Sequence, residues 1–300
     1  MRSTRGLAAA LALCAAAAVG CGLGPGKDEG DLTLTVTRDY GSEVMLQRTD
    51  SIKESDTVLR VLDRNTDITT RFGGGFVQSI DGLAGGAGGG RSSDWFFYVN
   101  GIESPIGSAE YDPSGGDRIW WDYRDWTAAM RVPAVVGSWP EPFLHGFQGR
   151  RWPAVLTCRA AAAICGTAGR RLDALGVRAS GAPSDAIEVL VGSWNAVRSD
   201  RTAALLADGP DRSGVFARFV GTRRPLLELL NKQGQPAGSI GKGGGLIASL
   251  RPGDGPPTWV VTGSDAKGVA AAAALLGPAL RNHYALATQP GAGPIGVPVP

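Results

Sequence analysis

The chain has 300 residues, a net charge of +2 and 43% hydrophobic residues. That charge balance gives no electrostatic case for nucleic acid or an anionic membrane surface as a partner, and the apolar content suffices for an ordinary packed core. Forty-five Gly and nineteen Pro predict turn-rich β structure joined by flexible segments.

Arg2 and Arg5 precede an Ala/Leu run, Leu7–Val19, that is too short to span a membrane and fits a signal-peptide core. It ends in Ala18-Val19-Gly20-Cys21, small residues before a Cys, which resembles the bacterial lipobox. The resemblance implies removal of residues 1–20, acylation of Cys21 and anchoring on the extracytoplasmic face of the cell membrane. An ordinary signal peptide cut elsewhere is the alternative. Residues 21–30 read as a flexible tether.

A first domain is predicted over 31–126. Leu32, Leu34 and Val36 alternate with Thr, as in a half-buried strand, and Glu43–Arg48 reads as its return. Ser55 or Asp56 caps a short amphipathic helix over Thr57–Arg64. Phe76–Ile80 is a strand ending in the Asp81-Gly82 turn, and Gly85–Gly90 reads as a mobile loop. Two aromatic strands close the domain, Trp95–Val99 and Arg118–Tyr123, with Asn100-Gly101 and Gly115-Gly116-Asp117 as turns. The order β-β-α-β-β-β suggests a β-grasp-like α+β unit.

The stretches GGFVQSIDGL (Gly74–Leu83), WFFYVNG (Trp95–Gly101) and GDRIWWDY (Gly116–Tyr123) resemble a bacterial domain-of-unknown-function family related to the C-terminal domain of transcobalamin and intrinsic factor. That resemblance implies capture of a small molecule, a corrinoid in those proteins, and no chemistry. The large helical-barrel partner of those proteins has no counterpart here. Asp81, Trp95, Phe97, Tyr98, Asn100, Trp120 and Trp121 are the candidate ligand-binding residues. Competing readings accompany them: Asp81 and Asn100 are turn formers, and the aromatics serve a core. Trp120 and Trp121 are adjacent, so they point to opposite faces, and one of the two is expected to be exposed or covered by a partner.

A second domain is predicted over 131–289, a mixed α/β sandwich. Its expected strands are Val132–Gly137, Ala154–Cys158, Ile187–Gly192, Leu246–Leu250 and Trp259–Gly263, with a hairpin over Gly214–Val220 and Leu226–Leu230. Its expected helices are Ala160–Leu175, Arg201–Ala207 and Asp265–Leu276, the last continuing through His283–Ala287. Outside the cytoplasm Cys158 and Cys165 are expected to be oxidised. Seven residues along one helix span about 10 Å, too far for a disulfide. A bridge therefore needs Cys158 to end a strand and Cys165 to sit in the following helix; two buried thiols are the alternative. The echo Gly137-Ser138-Trp139, Gly192-Ser193-Trp194 and Gly263-Ser264 reads as a crevice at strand ends or, more simply, as turns. Only two His are present, with no metal-binding spacing, no nucleophile elbow and no phosphate loop, since in GKGGG (Gly241–Gly245) a Gly follows the Lys. No cofactor and no enzymatic activity are expected. Residues 290–300 read as a disordered Gly/Pro tail. The chain thus reads as an α+β lipoprotein that captures a small ligand for a membrane transporter or, alternatively, as an envelope scaffolding protein.

Overall fold

The computed structural model of the protein describes residues 26–179 and 185–300, a mixed α+β chain of mostly sheet with few helices. Cys21 and the expected signal segment lie outside the described residues. β1 (Asp28–Arg38) already takes in the last three tether residues, with Asp28 opposite Lys53 and ion-paired to it at 2.8 Å. The alternation of Leu32, Leu34 and Val36 buries all three. β2 (Glu43–Lys53) returns beside β1, and α1 (Val58–Asp63) starts at Thr57, whose side chain accepts from the Arg60 N–H. The cap is therefore one residue beyond the expected Ser55 or Asp56.

β3 (Ile68–Arg71), β4 (Phe76–Ile80) and β5 (Leu83–Ala84) form a small antiparallel sheet. β6 (Gly86–Gly88) and β7 (Arg91–Val99) form a hairpin over Gly89-Gly90. Both turn residues take positive φ, 60° and 75°, so the stretch expected to be a loop is a two-residue hairpin that Gly makes possible. β8 (Ile102–Glu103) and β9 (Arg118–Asp125) complete the main sheet, ordered β2-β1-β9-β7-β6, with β8 also on β7. β1 and β9 run parallel; β7 and β9 run antiparallel.

Register divides this sheet into two faces. Thr35, Trp120 and Tyr98 are cross-strand partners, as are Thr37, Asp122 and Phe96. Val36, Trp121 and Phe97 are partners on the opposite face. The second face packs on Val58, Val61 and Leu62 of α1 and Val77 and Ile80 of β4.

The remaining strands and helices follow in order: β10 (Ala154–Arg159), α2 (Ala162–Asp173), β11 (Ile187–Ser193), α3 (Trp194–Val197), α4 (Pro210–Ser213), β12 (Ala217–Val220), β13 (Leu226–Leu230), β14 (Pro236–Ile240), β15 (Gly245–Leu250), β16 (Thr258–Gly263), α5 (Ala266–Leu275), β17 (Ala285–Thr288) and β18 (Ile295–Val297). The sheet β10-β11-β16-β15-β17-β18 is parallel in its first three strands and antiparallel thereafter. α2 and α5 cover one face through Leu172, Val269 and Ala273, and the meander β12-β13-β14 covers the other through Phe219, Leu227 and Leu229. Cys158 on β10 and Cys165 in α2 are bonded, with Cα atoms 5.7 Å apart, in the strand-then-helix arrangement that the spacing requires.

Four expectations fail here. Val132–Gly137 is no strand: it makes one bridge, Ala134 to Ile102, and its backbone is shared out, Val135 N–H to Gly101 O at 2.8 Å and Val136 N–H to Tyr284 O at 3.2 Å. Arg201–Ala207 narrows to a 3-10 turn over Ala203–Ala207. Helix α5 does not continue into His283–Ala287: Gly277 and Pro278 interrupt the helix, and Ala285–Thr288 joins the sheet as β17 in spite of its alanines. The tail is ordered too. Ile295 and Val297 pair with Ala287 and Ala285 on the sheet's outer edge, where the flanking prolines interrupt no ladder.

Candidate functional site

The two aromatic strands offer their two faces to different neighbours. On the first face, Trp120 is sealed by the second half of the chain. Its ring passes between Gly41 and Gly137, where an added Cβ would stand 2.8 Å from Cζ2 and 2.5 Å from Cζ3 respectively. Its Nε1 donates to Thr37 Oγ1 at 2.7 Å. Tyr284 packs edge-on to Trp120, Tyr98 and Tyr40, with centroids 5.4, 5.7 and 5.0 Å away. Within this seam Asp122 Oδ1 accepts from Thr37 Oγ1 at 2.5 Å and from the Gly41 N–H at 3.1 Å, and Oδ2 accepts from Tyr284 OH at 2.9 Å. Burial pushes the Asp122 carboxyl up to about 6, with these donors and Arg124 opposing the shift. Arg124, also buried, lies 3.7 Å over the Phe96 ring and donates to Ala129 O and Met130 O at 2.8 and 3.0 Å.

On the second face a hollow of about 220 Å³ opens where the β4 start, β7, β9 and the 103–108 turn converge. Trp95, Phe97 and Trp121 form its aromatic wall; Phe76, Ser104 and Ser108 face them. Phe97 and Trp121 stack at 4.9 Å with 26° between planes, and Tyr111 meets Phe97 edge-on at 6.5 Å. Trp95 is pinned by its Nε1 donating to Leu83 O at 2.8 Å. Trp121 Nε1 is buried without a hydrogen-bond partner among the described residues. Glu103, at the rim, accepts from the Val132 N–H at 2.8 Å and pairs with Arg131 at 3.3 Å. Phe72, 87% exposed, meets Phe76 edge-on at 6.2 Å, so an apolar lip stands beside the hollow.

Of the seven predicted binding residues, Trp95, Phe97 and Trp121 are together in this hollow. Trp120 and Tyr98 are buried on the other face, which corrects the expectation that one Trp of the pair is exposed or covered by a partner: both are 2% exposed, Trp120 because the chain covers it with its own second half. Asn100 is fully buried with φ 53°, and its amide donates to Asp117 Oδ1 at 2.7 Å and Gly146 O at 2.8 Å, so it builds a turn. Asp81 also has positive φ, accepts from the Asp67 N–H at 2.9 Å, and stands at the far end of β4 from the hollow. Phe72, Ser104 and Ser108 carried no periodic signal; Phe76 lay within the quoted Gly74–Leu83 stretch and was the one legible addition. Of the Gly-Ser-Trp echo, Ser193, Trp194 and Ser264 share the ends of β11 and β16, whereas Trp139 packs on Trp259, 5.8 Å away at the start of β16.

A family model for a domain of unknown function, DUF4430, matches residues 55–125, which contain all the walls of the hollow. No curated protein matches. A solved structure of a candidate metal-binding protein from Ruminococcus gnavus ATCC 29149 is similar over 32% of this chain and 98% of that chain, at 17% identity and a TM-score of 0.25. Among the described residues no group of three or more His, Cys, Asp or Glu is placed to hold a metal ion. None of their helices is long and apolar enough to cross a membrane.

Proposed function

We propose that the protein is a non-catalytic lipoprotein, anchored through Cys21 on the extracytoplasmic face, that captures a small molecule on the Trp95–Phe97–Trp121 face for delivery to a membrane transporter. The observation that carries this reading is the hollow itself. Trp95, Phe97 and Trp121 wall it beside the exposed Phe72 and Phe76, with the Trp121 indole N–H unpartnered among the described residues, while the matching aromatics of the opposite face are covered by the second half of the chain. Apolar walls with a few polar groups are the usual composition of a ligand site. The resemblance read in the sequences Gly74–Leu83, Trp95–Gly101 and Gly116–Tyr123, to a family related to the C-terminal domain of transcobalamin and intrinsic factor, supports a corrinoid as the ligand class. At about 220 Å³ the hollow takes an edge or side group, with the rest of the ligand lying against the Phe72–Phe76 lip.

The same lip favours a second reading, in which it docks a protein partner in the envelope. Titrating the Cys21→Ser protein with cobalamin and following tryptophan fluorescence separates the two. Saturable quenching that is lost in Phe76→Ala supports capture; no saturable response to any corrinoid removes the corrinoid. The same Cys21→Ser change should also move the protein from the membrane to the soluble fraction.

A further inference from the structure

A second cavity, of about 640 Å³, lies in the other half of the chain. It opens at the carboxyl ends of the parallel strands β11 and β16, marked by Asn195 and Ser264, which is where α/β sheets place their ligands. Two loops overhang it. The β12–β13 turn brings Arg223 and Arg224, and the β14–β15 turn brings Lys242, from the GKGGG stretch that matches no phosphate loop. All three side chains are exposed, and among the described residues none has an ion-pair or hydrogen-bond partner.

Asp265 is the one carboxylate in the lining, and it is occupied: it accepts from the Gly243 N–H and the Gly268 N–H, each at 3.0 Å, and caps α5. Asp265 is thus committed to capping the helix at the Gly268 N–H, and three cations stand around that single carboxylate. Ser264 braces the floor through hydrogen bonds from its hydroxyl to Gly241 O and its N–H to Gly244 O. A cavity lined by Arg131, Arg212 and Arg251 differs in part. There Arg131 meets Glu103 at 3.3 Å and Arg251 is held by the carbonyls of Asp254 and Gly255 at 2.7 and 2.8 Å, which leaves Arg212 alone without a side-chain partner among the described residues.

We infer that the Arg223–Arg224–Lys242 cavity is a binding site for a phosphate-bearing small molecule. Two arginine forks and one ammonium suit a head group carrying two negative charges on a cluster of oxygens, which a phosphoryl group supplies. Pro225 and Leu226 line the cavity beside the cations, and its volume leaves room for an organic body beyond the phosphate. This site is independent of the aromatic hollow, so the two proposals stand or fall separately.

Isothermal titration of the full chain with inorganic pyrophosphate, and in parallel with citrate, tests it. The expected result is saturable one-to-one binding of pyrophosphate, weakened about tenfold or more in the Arg223→Gln/Arg224→Gln double variant and less in Lys242→Gln. Arg212→Gln, in the cavity that Arg131 and Arg251 also line, should leave it unchanged. The variants alter exposed side chains, and circular dichroism checks that they stay folded. The inference is overturned by no saturable heat with pyrophosphate, by binding of citrate in preference to it, or by equal weakening in Arg212→Gln.

Discussion

Trp120 and Trp121 are neighbours on one strand, equally buried, and they do different work. Trp120 lies in a closed seam, wedged between two glycines and hydrogen-bonded to Thr37, with Tyr284 from the far end of the chain across its ring. Trp121 stands in the wall of a hollow, stacked on Phe97, with its indole nitrogen unpartnered. The seam face fastens the two halves together; the hollow face leaves aromatic surface for something else. Burial alone does not distinguish them, and the difference lies in what does the burying.

The largest effect should come from breaking the seam. Trp120→Ala removes a buried ring and its hydrogen bond and leaves a cavity between Gly41 and Gly137, which should cost about 3–5 kcal/mol. Because Tyr40, Tyr98 and Tyr284 share that contact, both halves should lose stability in one transition by calorimetry. A Trp120→Ala protein of unchanged stability that no longer binds ligand would invert the assignment of the two faces.

A smaller effect follows from Asp122. Its folded pKa, about 6, is raised above the ordinary 3.8, so the folded protein holds a proton that the unfolded chain releases between those values. The associated stability is present below about pH 3.8 and is lost as pH rises through 6. Linkage puts the full span at up to about 3 kcal/mol. Asp122→Asn cannot titrate, so denaturant midpoints measured from pH 4 to 7 should lack that decline relative to the parent. Parallel profiles for the two proteins would show that Asp122 is charged in the seam throughout.

The sequence shows why the seam was hard to foresee. Period-two alternation in Leu32–Val36 and in the aromatic strands is a local signal, and it correctly assigns Trp120 and Trp121 to opposite faces. It is silent on what lies above each face. The residues that close the seam are Tyr40 in a turn, Val135 in a segment that resembled a strand, and Tyr284 in one that resembled a helix. Each was misread or unread because long-range contact overrode local preference. The Cys158–Cys165 bridge was legible because seven residues and a bond length leave few geometries. The hollow was half legible: its aromatic wall follows from the strands, but Ser104 and Ser108 come from an irregular turn whose position only the tertiary fold decides.

The smallest stability effect, and the sharpest test of the comparison, is at the lip. Phe76 is 36% exposed and Phe72 is 87% exposed, so little apolar area returns to water when either is truncated. Phe76→Ala and Phe72→Ser should each shift stability by no more than about 1 kcal/mol. If the open face is a binding face, the same substitutions should weaken ligand by about tenfold, because a contact made only in the complex is lost without a compensating change in the free protein. The two measurements pull apart by design. Trp120→Ala lowers stability and leaves the hollow's own residues in place; Phe76→Ala leaves stability near the parent and removes one wall. Equal binding by the parent and Phe76→Ala would mean that the hollow, however open, is not where this protein meets its ligand.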